Sequence, residues 1–386
     1  MCMKADCPYK EMQYGKPKQV PKEEFAGATP NVFVGKYGYP NVHVGFLGNE
    51  GVTEENDAPL LWKKEAYSIP RIVNLRSALV NARFVAPVKG VSSKMTELAQ
   101  EASMSIKPVD YEVTLTKKPI AKLSLDQSAI PYGPSVQLKK TRFTANVKIP
   151  HFVDKAVSDI DLKASAGLGM LTKKGMDEHY LVKVLSLGNL GVKVQRRIVP
   201  TRWSITAVDD TLGKQKIKEI KNYPQHDFAL GEGEYLGNTF FVLFFPQEWS
   251  YELIESYKPR DGPLHSNMTT DYESFEGRKD YVHETAGGYY AARLSILEEL
   301  SRKKRQAGVL ALRIVNDEYF IPLGVWVVRE AVRNAMRNIV VVKDETELLA
   351  LVEQRMGLHG VSAMNDYIVK SIMLKERKRQ KRLGDY

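Results

Sequence analysis

Thr239-Phe-Phe-Val-Leu-Phe-Phe245 carries no charge and is closed by Asn238 on one side and Pro246 on the other. A short, uninterrupted aromatic and β-branched run predicts a strand covered on both faces, because a half-covered strand alternates polar with apolar residues. A strand of that kind requires a central sheet with helices flanking it. C-terminal to it, residues 258–267 are rich in Pro, Gly and charge and mark a domain boundary. Periodicity then predicts a helix over 289–301, a strand over 309–315, a helix over 325–336, a short strand over 339–342 and a helix over 345–355. A last helix carries Met364, Ile368 and Ile372 on one face, with Ser362 as its cap.

N-terminal to the apolar run the grammar changes. Val32-Phe33-Val34, the turn Gly38-Tyr39-Pro40, and Val42, Val44 and Phe46 predict a β-hairpin. Residues 69–84 place Ile72, Leu75, Leu79 and Ala82 at helical spacing, with Arg71, Arg76 and Arg83 on the other faces. Residues 111–150 read as strands around the rigid turn Ile130-Pro131-Tyr132-Gly133-Pro134. The expected fold class is α/β with mixed α+β character: a central mixed sheet, flanking helices, a hairpin-rich N-terminal half and a helical C-terminal end. The expected domains are an arm over 1–19, an N-terminal domain over 20–262, a C-terminal domain over 268–374 and a basic tail over 375–386.

The 386 residues are 43% hydrophobic and 26% charged, the usage of a globular protein with a sizeable core. Lys and Arg total 56 against 46 Asp and Glu, a net +10 that suits a polyanion such as DNA or RNA and equally suits a merely solvated surface. Cys2 and Cys7 are the only cysteines, and no basic start followed by an apolar run opens the chain. The expected compartment is therefore the reducing cytoplasm. No apolar stretch approaches the length needed to span a bilayer, so no membrane passage is expected.

Four segments carry candidate chemistry. Arg196, Arg197 and Arg202, with Trp203 beside the last, offer guanidinium groups for phosphate and an indole for stacking on bases. Asp209 and Asp210 follow, and could hold a divalent cation as in phosphoryl-transfer sites, or form ordinary pairs with the arginines. Gly287-Gly288 opens a helix, where free N–H groups can cradle phosphate or where small residues simply allow close packing. Cys2 and Cys7 supply two thiolates, but a closed zinc site needs four ligands and no second pair exists. Phosphate-loop, dinucleotide, zinc-protease and serine-elbow motifs are all absent, so no catalytic motif is identified and enzymatic activity stays open.

The fourth segment is the tail Gln380-Lys-Arg-Leu-Gly-Asp-Tyr386. Gln at the first place, an aliphatic at the fourth and an aromatic at the seventh is the pattern of peptides that dock on a DNA sliding clamp. One helical turn projects Leu383 and Tyr386 into an apolar groove, with Gln380 hydrogen-bonding beside it. Such a pattern is unremarkable somewhere in a chain of this length; its place after the basic run Lys375-Glu-Arg-Lys-Arg379 is what makes it credible.

Taken together, the segments resemble the archaeal Nre family of DNA repair proteins. The resemblance runs in order through Phe25-Ala-Gly-Ala-Thr-Pro-Asn-Val-Phe-Val-Gly35, Tyr37-Gly-Tyr-Pro-Asn-Val-His-Val-Gly45, Arg76-Ser-Ala-Leu-Val80 and Pro131-Tyr-Gly-Pro-Ser135. It continues through Val199-Pro-Thr-Arg-Trp-Ser-Ile-Thr-Ala-Val-Asp-Asp210, Ala286-Gly-Gly-Tyr-Tyr-Ala-Ala-Arg293 and Pro322-Leu-Gly-Val-Trp-Val-Val-Arg-Glu330. It implies a role in DNA damage repair and a C-terminal peptide for the clamp PCNA, carried here by Gln380, Leu383 and Tyr386 without the second aromatic that relatives often add. It also implies an N-terminal four-cysteine zinc element, of which Cys2 and Cys7 match the second half; zinc follows only if a further cysteine pair precedes them. It brings no settled catalytic activity. The reading is a clamp-tethered DNA-binding repair factor, with a metal-dependent nuclease using Asp209 and Asp210, or an RNA-binding protein, as the alternatives.

Overall fold

The computed structural model describes residues 22–90, 93–120, 123–124, 129–259, 264, 267–361 and 364–379. Among the described residues two compact units form: one takes those up to Leu212 together with Phe320–Gly324, the other takes those from Gly213 to Tyr319 and from Val325 onward. The mixed α/β class and the helical C-terminal end expected from sequence are what the structure has.

In the first unit, β1 (Glu24–Val34), β2 (Asn41–Asn49), β3 (Val80–Pro87), β4 (Val109–Leu115) and β5 (Ser135–Phe143) close a barrel in the order β1-β2-β3-β5-β4. Neighbours are antiparallel except β3 and β5, which run parallel, and β1 closes the ring on β4. Alternation decides the interior. Val42, Val44 and Phe46 of β2 and Ala82, Phe84 and Ala86 of β3 enter one apolar core, leaving the intervening residues for the outer face. The helix between β3 and β4 (Lys94–Met104), α3 in chain order, turns Ala99 and Ala102 onto that core. This is the connectivity of the five-stranded OB-type barrel.

Between β2 and β3 lie α1 (Pro59–Lys64) and α2 (Ile69–Ser77). The helix expected over 69–84 therefore stops at Ser77, and Val80–Pro87 is strand. Helical and strand spacing coincide over so few apolar positions, and pairing of β3 with β2 and β5 decides the outcome. Arg76, expected on an outer face of the helix, is buried. Its Nη1 donates to Asp57 Oδ1 at 2.5 Å and its Nε to the Pro131 carbonyl at 2.7 Å, so one guanidinium ties α2 to the turn before β5. The unit continues with α4 (His151–Ser158), α5 (Ala164–Lys173), α6 (Glu178–Ser186) and the start of α7 (Thr201–Ile220).

The second unit is built on a six-stranded sheet in the order β11-β6-β7-β10-β8-β9. Its strands are β6 (Ala229–Tyr235), β7 (Asn238–Phe245), β8 (Ser250–Tyr257), β9 (Thr269–Glu273), β10 (Gly308–Val315) and β11 (Ile339–Val341). Every residue of β7 is buried, as its sequence requires. Phe241, Leu243 and Phe245 share a core with Leu348, Val352 and Met356 of α10 (Glu345–Leu358) and with residues of α11 (Met364–Lys370) and α12 (Ile372–Arg379). The opposite face takes α8 (Ala286–Lys303) and α9 (Trp326–Arg337), the latter so close to β6 that a Cβ on Gly233 would fall 2.2 Å from the Ala335 nitrogen.

One difference from the sequence reading stands out in this unit. The single last helix is two, α11 and α12, broken at Ser371; its expected cap, Ser362, lies outside the described residues. The compact units themselves divide at Leu212/Gly213 rather than within residues 258–267. The physical reason is that β10 lies between β7 and β8, pairing antiparallel with one and parallel with the other, so strands from both sides of that segment make one sheet.

Candidate nucleic-acid interface

In the first unit, α7 is preceded by a loop whose shape comes from its own polar groups. Asn189 donates to Ser103 Oγ at 2.8 Å and to the Gln100 carbonyl at 3.0 Å. Arg196 donates from Nε to the Gly191 carbonyl at 2.6 Å and from Nη2 to the Asp159 carbonyl at 2.9 Å. Arg196 is thus half-buried and engaged with backbone, and burial lowers its affinity for a proton although Asp159 opposes this. Of the four residues expected to face nucleic acid, it is the one whose donors are already used to hold the loop.

Arg197 is exposed, with a long 3.4 Å contact from Nε to the Gln195 carbonyl. The chain then enters α7, docked on β1 where Thr201 Oγ1 accepts the Val34 N–H at 2.9 Å. That contact sets the first turn of α7 beside the β1–β2 loop. Trp203, 48% exposed, lies with its ring centroid 6.0 Å from that of Tyr39, 52% exposed, at an interplanar angle of 48°. Arg202 is half-buried and has no hydrogen-bond or ion-pair partner among the described residues. Sequence reading missed Tyr37 and Tyr39. Their signal was present in the turn itself, where two aromatic rings sit at a hairpin tip that a soluble protein would ordinarily fill with polar residues.

Asp209 is fully buried and Asp210 half-buried on α7. Adjacent residues on a helix point about 100° apart. Among the described residues no group of three or more His, Cys, Asp or Glu side chains could hold a metal ion. Cys2 and Cys7 lie outside the described residues, and two thiolates fall short of the four ligands of a closed zinc site.

The first unit also contains a cleft of about 320 Å³ lined in part by Asp57, Asp177, His179 and Lys183. Three of its charged groups serve the fold. Lys183 donates to the Ser105 carbonyl at 2.8 Å, Asp57 takes Arg76, and Asp177 accepts the Tyr180 N–H at 2.8 Å as the cap of α6. Burial pushes the Lys183 ammonium below its ordinary value.

In the second unit, Gly287 and Gly288 begin α8 buried, and a Cβ on Gly288 would lie 2.8 Å from Glu255 Oε1. The turn ahead of them gives its N–H groups to protein: Asp271 accepts those of His283 at 3.0 Å, Glu284 at 2.9 Å and Thr285 at 2.8 Å. Close packing against Glu255 accounts for Gly288.

The helix leading to the C-terminal tail, α12, is fixed along its length. At its start the buried carboxylate of Glu252 accepts Ser371 Oγ at 2.6 Å, the Ile372 N–H at 2.9 Å and the Met373 N–H at 3.0 Å. Further on, Tyr272 donates its hydroxyl to Glu376 at 2.5 Å, and Arg377 reaches Glu345 at 2.7 Å while lying 4.6 Å over the Phe245 ring. Met373 and Leu374 are buried, whereas Lys375, Lys378 and Arg379 are exposed. Gln380, Leu383 and Tyr386 lie outside the described residues.

Comparison with known proteins places this architecture. The family model described as "Archaeal Nre, N-terminal" matches residues 1–261, and "Archaeal Nre, C-terminal" matches residues 273–386. The chain belongs to the archaeal Nre family. Two relatives named DNA repair protein NreA are 36% identical to it: that of Haloferax volcanii over 81% of this chain and 78% of its own, and that of Archaeoglobus fulgidus over 88% and 86%. A DNA repair protein NreB of Archaeoglobus fulgidus is 34% identical over 100% of this chain and 97% of its own. This Nre chain matches no solved structure. Among its described residues no helix is long and apolar enough to cross a membrane.

Proposed function

We propose that this Nre protein is a cytoplasmic DNA repair factor that binds DNA and docks on the sliding clamp PCNA through Gln380, Leu383 and Tyr386. The observation that carries the reading is the anchoring of α12 by Glu252, Tyr272, Glu345 and Phe245, directly ahead of the peptide. A short docking peptide binds more tightly and transmits position better when the element it leaves is rigid, because less freedom is lost on capture. Exposed Lys375, Lys378 and Arg379 at the end of that helix favour an acidic partner surface and DNA phosphate alike. For DNA contact the reading keeps Arg197, Arg202 and Trp203 and assigns Arg196 to loop support.

The test is calorimetry of purified PCNA with the full chain and with a chain lacking residues 380–386. Loss of binding with an unchanged unfolding midpoint is the expected result. Undiminished clamp binding by the truncated chain overturns the docking assignment.

A further inference from the structure

Resting on that DNA-binding reading and giving it a substrate class, we propose that the outer face of β2 and β3, with the β1–β2 loop and the first turn of α7, binds single-stranded DNA. In OB-type barrels, strands 2 and 3 and the loops after β1 and between β4 and β5 form the face that takes oligonucleotides. Connectivity alone assigns no function, so the residues on that face must carry the argument.

They do so in three ways. First, alternation places His43 and Arg83 on the outer face, since Val42, Val44, Ala82 and Phe84 fill the core. Arg83 has no hydrogen-bond or ion-pair partner among the described residues, and the buried Nδ1 of His43 has no hydrogen-bond partner there. A half-buried guanidinium without a protein acceptor is placed to take one from a ligand. Second, Asn81 lies over Gly45, the residue opposite Arg83 in register, where a Cβ would fall 1.7 Å from Asn81 Oδ1, so the open part of this face runs from Arg83 toward exposed Val85, Pro87 and Asn41 at the β1–β2 loop end.

Third, three exposed rings rim the face: Tyr37 at 76%, Tyr39 at 52% and Trp203 at 48%. Tyr39 and Trp203 come together from segments far apart in sequence, which a random scatter of surface aromatics would not do. Base faces in a duplex are hidden in the stack, whereas an unpaired strand offers each of them to an aromatic ring. Exposed rings at the loop end, together with Arg83 and Arg202, neither of which has a partner among the described residues, fit a single strand better than the double helix.

Trp62, Trp249 and Trp326 are buried, so a change of tryptophan emission on adding DNA reports Trp203. The experiment titrates the full chain with oligodeoxythymidylate of about 15 nucleotides, within the range a single barrel covers, and with a duplex of equal length. We expect saturable quenching by the single strand, an affinity at least about tenfold above that for duplex, and loss of the quench in Trp203→Phe. Tyr39→Ala and Arg83→Gln each weaken single-strand binding about tenfold and leave the unfolding midpoint unchanged. Duplex binding as tight as single-strand binding, or single-strand binding indifferent to Tyr39→Ala and Trp203→Phe, overturns this inference and leaves the broader DNA-binding reading standing. Binding of neither form overturns both. Tighter binding of oligouridylate than of oligodeoxythymidylate overturns the assignment to DNA.

Discussion

Glu252 accepts the hydroxyl of Ser371 at 2.6 Å, which sets a buried carboxylate from strand β8 at the break between α11 and α12. The first N–H groups of a helix lack intrahelical partners and carry partial positive charge, and Glu252 answers two of them at Ile372 and Met373. Glu252→Ala should destabilise the second unit by about 2–3 kcal/mol, the scale of charge-assisted hydrogen bonds left unmade. Amide hydrogen exchange checks it: Ile372 and Met373 exchange faster in the variant, and Glu252→Gln loses less. Unchanged protection would show that α12 holds its place without the cap.

Arg76 and Asp57 form a buried ion pair at 2.5 Å, whereas Arg71 and Glu55 pair at 2.8 Å on the surface. Breaking the first leaves an uncompensated buried charge, so Arg76→Ala should cost about 3–5 kcal/mol. Arg71→Ala should cost less than about 1 kcal/mol. Urea unfolding of the two variants gives the comparison, and equal costs would contradict the assignment.

The Asp271 carboxyl is held below the usual carboxylate range. Burial works to raise it, but hydrogen bonds from the backbones of Thr285, His283 and Glu284 and from the Thr285 hydroxyl prevail. A folded-state pKa below the unfolded one adds stability that is present above about pH 4 and is lost as pH falls through the lowered value. Asp271→Asn should therefore lower stability at neutral pH and flatten its decline below about pH 4. An acid limb as steep in the variant as in the parent chain would assign the acid sensitivity to other carboxylates.

At the tail, Leu383→Ala and Tyr386→Ala should each weaken PCNA binding by about 2 kcal/mol, since buried anchors dominate small docking peptides. Lys381→Ala should cost a few tenths, with the difference vanishing at high salt. Calorimetry at two salt concentrations separates these expectations. A dominant loss from Lys381→Ala would mean electrostatic tethering rather than groove insertion.

Local pattern was enough for elements whose neighbours merely confirm it. The apolar run of β7, the hairpin of β1 and β2 around Gly38-Tyr39-Pro40, and the helices near 289–301 and 345–355 could all be read from spacing alone. Closure of the barrel could not, because it rests on pairings such as β3 with β5 between segments whose apolar spacing says nothing of partner. The burial of Arg76 was hidden for the same reason: its partner Asp57 is brought to it by tertiary structure. The candidate site was half legible. Trp203 and Arg202 announced themselves by composition, Arg196 looked the same as they do but spends its donors on Gly191 and Asp159, and Tyr39 acquired meaning only when α7 came to rest beside it.

The place of β10 between β7 and β8 also bears on how the chain is made. During synthesis, β7 emerges well before β10 and must wait with one long apolar edge unpaired, a template for association with other chains. Translation that stops short of Gly308, or a gene fragment cut near residue 262, would release a chain with that edge permanently open. Aggregation of such fragments, and rescue by supplying the missing C-terminal piece in trans, is the behaviour this strand order dictates.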